Sequence, residues 1–304
     1  PQQQPAGKHT ERRYFIMKGH VIVGQSGGPT AAINSSLAGV YRTAKDRSAN
    51  KVYGMLFGIQ GLLQERYIDL SEYITNDLDT ELLKRTPAAF LGSCRYKLPE
   101  IHENKDVYEK IFSILEKLDI EAFIYIGGND SMDTIKKLSD YAIVTGYRTR
   151  FIGCPKTIDN DLALTDHTPG YGSAAKYIGT SVKEIIRDSF CLEYGKGLVS
   201  IVEIMGRNAG WLTGAAALAK GEDCLGPDLI YLPELPFDIE AFSEKVKDLL
   251  AKKPSVVVAV SEGIRLADGR YVCELGQSVD FVDAFGHKQL SGTANYLASY
   301  IAGE

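Results

Sequence analysis

The chain has 304 residues, 44% of them hydrophobic and 24% charged, with a formal net charge of −5, enough for a large core and for two lobes. Lys and Arg never form a long run, and no apolar stretch reaches the roughly 18 residues of a membrane span, which excludes a nucleic-acid-binding face and a transmembrane helix. The five cysteines (Cys94, Cys154, Cys191, Cys224, Cys273) are widely spaced without a CxxC pair, which excludes the usual zinc sets and reads as reduced thiols in a cytoplasm.

In chain order, the stretch from Pro1 to Arg13 is polar, with Gln2, Gln3 and Gln4 in a row, and residues 1–17 read as a disordered extension. A short β-rich run at 21–23 leads into Gly24-Gln25-Ser26-Gly27-Gly28-Pro29-Thr30, and a helical stretch follows from Ala31. Glycines let a backbone approach an anion, and the helix start offers free N–H groups, so this loop suits a phosphate. It is neither GxGxxG nor a Walker A loop, and a Gly-Gly turn by itself is as often plain strand-to-helix punctuation. A helix is expected over 107–118, then a strand over 123–126. That strand opens into Gly127-Gly128-Asn129-Asp130-Ser131 before a helical stretch at 132–138. Ser131 suits a helix N-cap; two glycines and a carboxylate in one turn suit a metal-bridged phosphate.

The third strand, at 151–152, precedes the most informative segment, Pro155-Lys156-Thr157-Ile158-Asp159-Asn160-Asp161. Two carboxylates beside a lysine and a threonine supply a base, a second acid, a phosphate cation and a hydroxyl donor. A surface Asp-Asn-Asp triplet is usually only a turn; directly after a buried strand it points to catalysis. A helix over 174–186, a strand over 198–204, a helix over 239–250 and a strand over 256–260 complete the alternation. This is the pattern of an α/β protein with mostly parallel sheets flanked by helices. Open parallel sheets bind ligands at the carboxyl ends of their strands, so the site should be assembled from several loops. The division expected is a lobe of 18–148 and a lobe of 149–304.

Gly27-Gly28, Gly92-Ser93-Cys94-Arg95, Gly127 to Ser131, Pro155 to Asp161, Met205-Gly206-Arg207, Ser261-Glu262-Gly263 and Gly286-His287 resemble, in order and spacing, the motifs of the phosphofructokinases. The resemblance runs from about Lys18 to Gly292. It implies a two-lobed fold with a phosphoryl-donor lobe and a sugar-phosphate lobe. It also implies transfer of a phosphoryl group to the C1 hydroxyl of fructose 6-phosphate, with Mg2+ as cofactor, in a cytoplasmic homo-oligomer. Carried over, Asp159 is the base, Thr157 contacts the sugar and the transferred group, and Asp161 steadies the base or the metal. Gly28, Arg95, Gly128 and Ser131 approach the donor; Ile158, Met205, Gly206, Arg207, Glu262 and His287 join Thr157 and Asp159 around the sugar phosphate. Without the resemblance, Arg207 and Glu262 would read as ordinary surface charges and His287 as surface decoration.

Relatives that use ATP usually have glycine at the positions of Asp130 and Lys156. A carboxylate at Asp130 would repel a nucleotide's α-phosphate, and Lys156 would neutralise a simple leaving phosphate, so pyrophosphate is the expected donor. The alternatives are an ATP-dependent phosphofructokinase and a non-catalytic sugar-phosphate-binding regulatory subunit. Four departures stand out. Asn129 replaces the usual metal-associated aspartate; the expected metal site is Asn129 with Asp130, and the alternative is that Asp130 or Asp159 holds Mg2+ instead. Leu290 replaces an arginine. Leu198 and Phe281 replace interface arginines, leaving Lys196 or Lys288 as replacements. Finally, the family pattern continues with further helices after the Gly-His loop, so the C-terminal part of the fold is expected to be incomplete. Effector arginines are only partly matched, by Arg42 beside Ala38, which predicts weak or no nucleotide regulation.

Overall fold

The computed structural model describes residues 17–192, 194–276 and 290–303. Two parallel sheets carry the chain. The first contains β1 (His20–Gln25), β2 (Val52–Met55), β3 (Tyr67–Asp69), β4 (Ile120–Gly127) and β5 (Arg150–Pro155), ordered β3-β2-β1-β4-β5. All its neighbours are parallel except the antiparallel edge pair β2 and β3. Around it lie α1 (Ile33–Asp46), α2 (Gly58–Leu62), α3 (Asp77–Arg85), α4 (Lys105–Lys117) and α5 (Asn129–Thr145). The second sheet contains β6 (Leu198–Ile204), β7 (Leu229–Tyr231) and β8 (Ser255–Ser261), ordered β6-β8-β7 and parallel throughout. Its helices are α6 (Tyr171–Cys191), α7 (Trp211–Gly214), α8 (Ile239–Leu250) and α9 (Thr293–Gly303).

A parallel strand is buried on both faces and so needs apolar residues at consecutive positions. Val21, Ile22 and Val23 meet this need: Val21 and Val23 pack with Ile33, Leu37 and Ile126, while Ile22 packs with Phe112, Phe123 and Tyr125. Val256, Val258 and Val260 do the same against Phe242 and Val246 of α8. The second core of the first sheet is aromatic, with the Phe112 ring 4.8 Å from Tyr141, 4.5 Å from Tyr147 and 5.4 Å from Phe151.

β5 pairs with β4 from Arg150 to Pro155. The chain therefore stays in the first sheet through Pro155 before it passes to the second. On one face of the first sheet a groove of about 580 Å³ beside α1 leaves Ile124, Ile152 and Cys154 partly uncovered. The five cysteines are free thiols, and no helix among the described residues is long and apolar enough to cross a membrane.

What matters for the site is the order of the first sheet. The chain leaves the central β1 toward β2 and β3, then returns to place β4 on β1's other side, with Gln25 opposite Ile126. The loops after β1 and β4 thus diverge from adjacent strand ends, the arrangement that opens a crevice at a topological switch point.

Candidate active site

The loop after β1 is held from below. The Gln25 side chain is fully buried; its Nε2 donates to the Ile33 carbonyl (3.2 Å) and to Asn34 Oδ1 (2.9 Å), and its Oε1 accepts from the Leu91 N–H (2.8 Å). Asn34 in turn donates to the carbonyls of Thr86 (2.8 Å) and Ala88 (2.9 Å) and accepts from the Phe90 N–H (2.9 Å). These two buried amides stitch the glycine loop, α1 and the 86–92 segment into one piece. The Ser93 hydroxyl then donates to the Gly27 carbonyl (2.5 Å), and the Gly27 N–H to the Cys94 carbonyl (3.2 Å). That pairing lays Arg95 beside the loop. Gly27 faces the third loop, since a Cβ on it would lie 3.2 Å from Lys156 Nζ, whereas a Cβ on Gly28 would meet nothing within 4 Å.

The loop after β4 is tighter than its sequence suggests. A Cβ on Gly127 would fall 1.9 Å from Ser131 Oγ, so the glycine is there to admit that buried side chain. The helix cap expected at Ser131 is instead Gly128, which contributes no side-chain bond; α5 begins at Asn129, and Ser131 lies inside its first turn. Asn129 Nδ2 donates to Asp161 Oδ2 (3.3 Å), joining the second loop to the third, and Asp130 sits in the first turn of α5.

The third loop leaves β5 at its carboxyl end, where the Lys156 N–H donates to the Gly127 carbonyl (2.9 Å). Lys156 is only 5% exposed. Burial pushes its ammonium below the usual lysine value and Arg95 adds to that, while Asp159 pulls the other way. Burial pushes the Asp159 carboxyl above the usual range, with Asp161 adding; the Thr157 side chain, Lys156 and Arg207 oppose the shift. Asp159 Oδ1 is buried without a hydrogen-bond partner among the described residues. A buried carboxylate oxygen left unpaired is costly, and such an atom is where a substrate hydroxyl would be received.

The second sheet contributes from the opposite side. Beyond β6, Met205 is 58% exposed, and the Gly206 N–H donates to Glu262 Oε1 (3.2 Å). Ser261, at the end of β8, donates to the Gly206 carbonyl (2.6 Å), and the Glu262 N–H donates to the Ile204 carbonyl (2.9 Å). Burial raises the Glu262 carboxyl; the Gly206 N–H and Arg207 work against this, and Glu203 and Asp159 add to it. Asp159, Arg207 and Glu262 thus lie within one electrostatic neighbourhood, and the carboxyl ends of the two sheets meet there.

Other expected residues have structural settings. Ile158 packs against the cluster of Val182, Ile204 and Leu212. Leu290 is buried, which accounts for an apolar side chain there. His287, with Gly286, Lys288 and Phe281, lies outside the described residues. Sequence reasoning missed Gln25 and Asn34, and also Glu203. The Glu203 carboxylate accepts from the N–H groups of Gly292 (3.2 Å) and Ala294 (2.8 Å) at the start of α9, and the Thr293 hydroxyl donates to the Glu262 carbonyl (3.2 Å). The signal available was three polar residues inside or beside strongly apolar elements.

Among the described residues no three His, Cys, Asp or Glu side chains gather as a metal cage. Mg2+ does not need one, because it keeps several waters and binds through one or two protein oxygens plus substrate phosphates. Asp130, together with the amide oxygen of Asn129 left by the bond from its Nδ2 to Asp161, fits that requirement.

The family model described as Phosphofructokinase matches residues 20–304. A pyrophosphate–fructose 6-phosphate 1-phosphotransferase of Xanthomonas campestris pv. campestris is 43% identical over 289 residues, covering 95% of this chain and 68% of the relative. The protein of the same description from Rhodospirillum rubrum is 42% identical over 291 residues, covering 94% and 69%. The crystal structure of a pyrophosphate-dependent phosphofructokinase from Nitrosospira multiformis superposes with a TM-score of 0.79 at 35% identity, over 93% of this chain and 66% of that one. The chain therefore spans about two thirds of the length of these relatives. A match that begins at β1 and runs through both sheets, with these identities, makes the chain a member of the phosphofructokinase family.

Proposed function

We propose that this chain carries the catalytic core of a phosphotransferase that moves a phosphoryl group from pyrophosphate to the C1 hydroxyl of fructose 6-phosphate. The products are fructose 1,6-bisphosphate and phosphate, and the reaction is reversible. The observation that carries the reading is Asp159: a half-buried carboxylate with one buried, unpartnered oxygen, beside a buried lysine whose ammonium faces the glycine loop. Asp159 takes the proton of the C1 hydroxyl as its oxygen forms the new bond to phosphorus, and the bond to the departing phosphate breaks. Lys156 offsets the charge on the transferring and leaving groups, and Thr157 holds the sugar hydroxyl and the transferred group. Gly28, Arg95, Gly128 and Ser131 surround the donor; Met205, Gly206, Arg207, Glu262 and, beyond the described residues, His287 hold the sugar phosphate. Mg2+, when bound, neutralises charge on the pyrophosphate oxygens, with Asp130 and Asn129 as its protein ligands. The protein is further proposed to work as a cytoplasmic homo-oligomer.

Pyrophosphate is preferred over ATP because Asp130 places a carboxylate in the first turn of α5, where a longer polyphosphate chain would extend. The test is fructose 1,6-bisphosphate formation by the purified protein with fructose 6-phosphate and Mg2+, with pyrophosphate and ATP compared side by side. Turnover with pyrophosphate alone is expected. Turnover with ATP alone overturns the donor assignment, and turnover with neither overturns the catalytic one.

A further inference from the structure

The loop that carries Asp159 and Asp161 contains a third polar residue with no chemical role assigned above. Asn160 is buried and its backbone is left-handed, with φ of 56°. Asn is one of the few non-glycine residues that adopt this region readily. In a regular extended chain, side chains two apart point the same way; the left-handed residue between them breaks that rule. Asp159 accordingly turns inward toward Lys156 and Arg207, whereas Asp161 is exposed and meets Asn129 of α5.

The side chain of Asn160 is tied off at both ends. Its Nδ2 donates to the Asp166 carbonyl (3.0 Å), and its Oδ1 accepts from the Thr168 N–H (2.8 Å). Thr168, also buried, donates its hydroxyl to the Thr157 carbonyl (2.7 Å), and the Thr157 N–H donates to the Pro169 carbonyl (3.2 Å). Thr157 Oγ1 then accepts from the Asp159 N–H (3.0 Å). The circuit ties off the two ends of the 161–167 segment and fastens them to Thr157. It ends at Gly170, which has φ of 115° and stands so close to Thr30 that a Cβ would lie 2.9 Å from the threonine Cβ.

We infer that Asn160 and Thr168 form a clamp whose task is to position Thr157, Asp159 and Asp161 for phosphoryl transfer. The inference rests on the reaction proposed above. Neither residue need touch substrate: they act by holding the base and its neighbours in reacting geometry, a contribution that raises kcat and leaves ground-state binding alone. Of the proposed substrate contacts only those of Thr157 and its neighbours depend on the clamp, while the second sheet and the glycine loops supply the rest, so loosening it should change both KM values much less than kcat.

The experiment compares Asn160→Gly, Thr168→Val and Thr168→Ser with the wild-type protein. Asn160→Gly keeps the left-handed backbone accessible but removes both side-chain bonds; Thr168→Val removes the hydroxyl at nearly constant shape; Thr168→Ser restores it. The first two are expected to lose about 10- to 100-fold in kcat, the range a displacement on the order of 1 Å produces. Their KM values for fructose 6-phosphate and pyrophosphate should stay within about threefold, with thermal midpoints near wild type, and Thr168→Ser should recover most of kcat. In parallel, hydrogen exchange at the Thr168 amide should be protected in the wild type and lose protection in Asn160→Gly. Unchanged kcat in both variants, a loss confined to KM, or a serine variant no better than the valine one would overturn the positioning role. Unchanged Thr168 exchange would overturn the clamp whatever the activities are. If the wild type transfers no phosphoryl group, the proposed reaction fails, and the exchange comparison still decides the clamp.

Discussion

Burial drives Asp159 and Lys156 toward states that water would not favour, and each partly offsets the shift of the other. Burial, then Asp161, raises the Asp159 carboxyl, and a base must be unprotonated to act. The transfer rate should therefore fall with decreasing pH along a limb that lies above the ordinary carboxylate range, which a pH–rate profile of kcat/KM would display. Stability responds in the opposite sense. With its folded-state pKa above the unfolded one, Asp159 holds more protons in the native state, so its contribution weakens as pH rises through that window. Lys156, pushed down from 10.5 by burial, binds fewer protons when folded. Its contribution is lost below the depressed value and regained as pH rises toward 10.5. Asp159→Asn should lower kcat by about 10²- to 10⁴-fold with small changes in KM. The paired change of Asp130→Gly with Lys156→Gly should shift the ratio of kcat/KM values toward ATP; an unaltered ratio in steady-state assays would remove the donor argument.

At the level of elements, the apolar strands and amphipathic helices were legible because burial imposes their patterns. The helices expected at 107–118 and 239–250 appear as Lys105–Lys117 and Ile239–Leu250, and the strand at 198–204 matches β6. Short strands escaped notice: β2 and β7 have four and three residues, too short for a period to emerge. α3 was missed although Asn76 accepts from the Asp79 N–H and acids and bases occupy its first and last turns, signals that were available. That Lys156, Asp159 and Glu262 gather at one place could be read from motif order. The bonds that Gln25, Asn34, Glu203, Asn160 and Thr168 make could not, because their partners are mostly backbone groups brought close only by the fold; for the first three, polarity within an apolar element was the one available signal. The aromatic core behind β4 and β5 permits a plain test of packing. Phe112→Ala removes a ring in contact with three others and should cost about 3–5 kcal/mol in chemical denaturation, with little change in KM for the molecules that survive folded.

On the scale of the whole molecule, the two sheets would divide the labour of the proposed reaction: glycine loops, Lys156 and Asp159 come from the first, and Met205 to Arg207 and Glu262 from the second. Regulation through α1 finds little purchase in this arrangement. Arg42, which partly matches an effector arginine, lies 3.8 Å from Asp77 and 3.6 Å from Glu81, so its charge is already answered within the chain. Rates measured across a titration of ADP or phosphoenolpyruvate should stay flat, and a strong response would show that another surface reads these anions.

The meeting of Asp159 with Arg207 and Glu262 joins groups from separate sheets across a crevice. A molecule lodged there is a strut between two bodies as much as a reactant. Each ligand that braces the gap spares the next one part of the ordering that binding requires, and thermodynamic reciprocity makes the assistance equal in both directions. If the proposed reaction holds, sugar phosphate and pyrophosphate should therefore each tighten the other's binding by the same factor, a mutual dependence that equilibrium titrations of either ligand with and without the other would display.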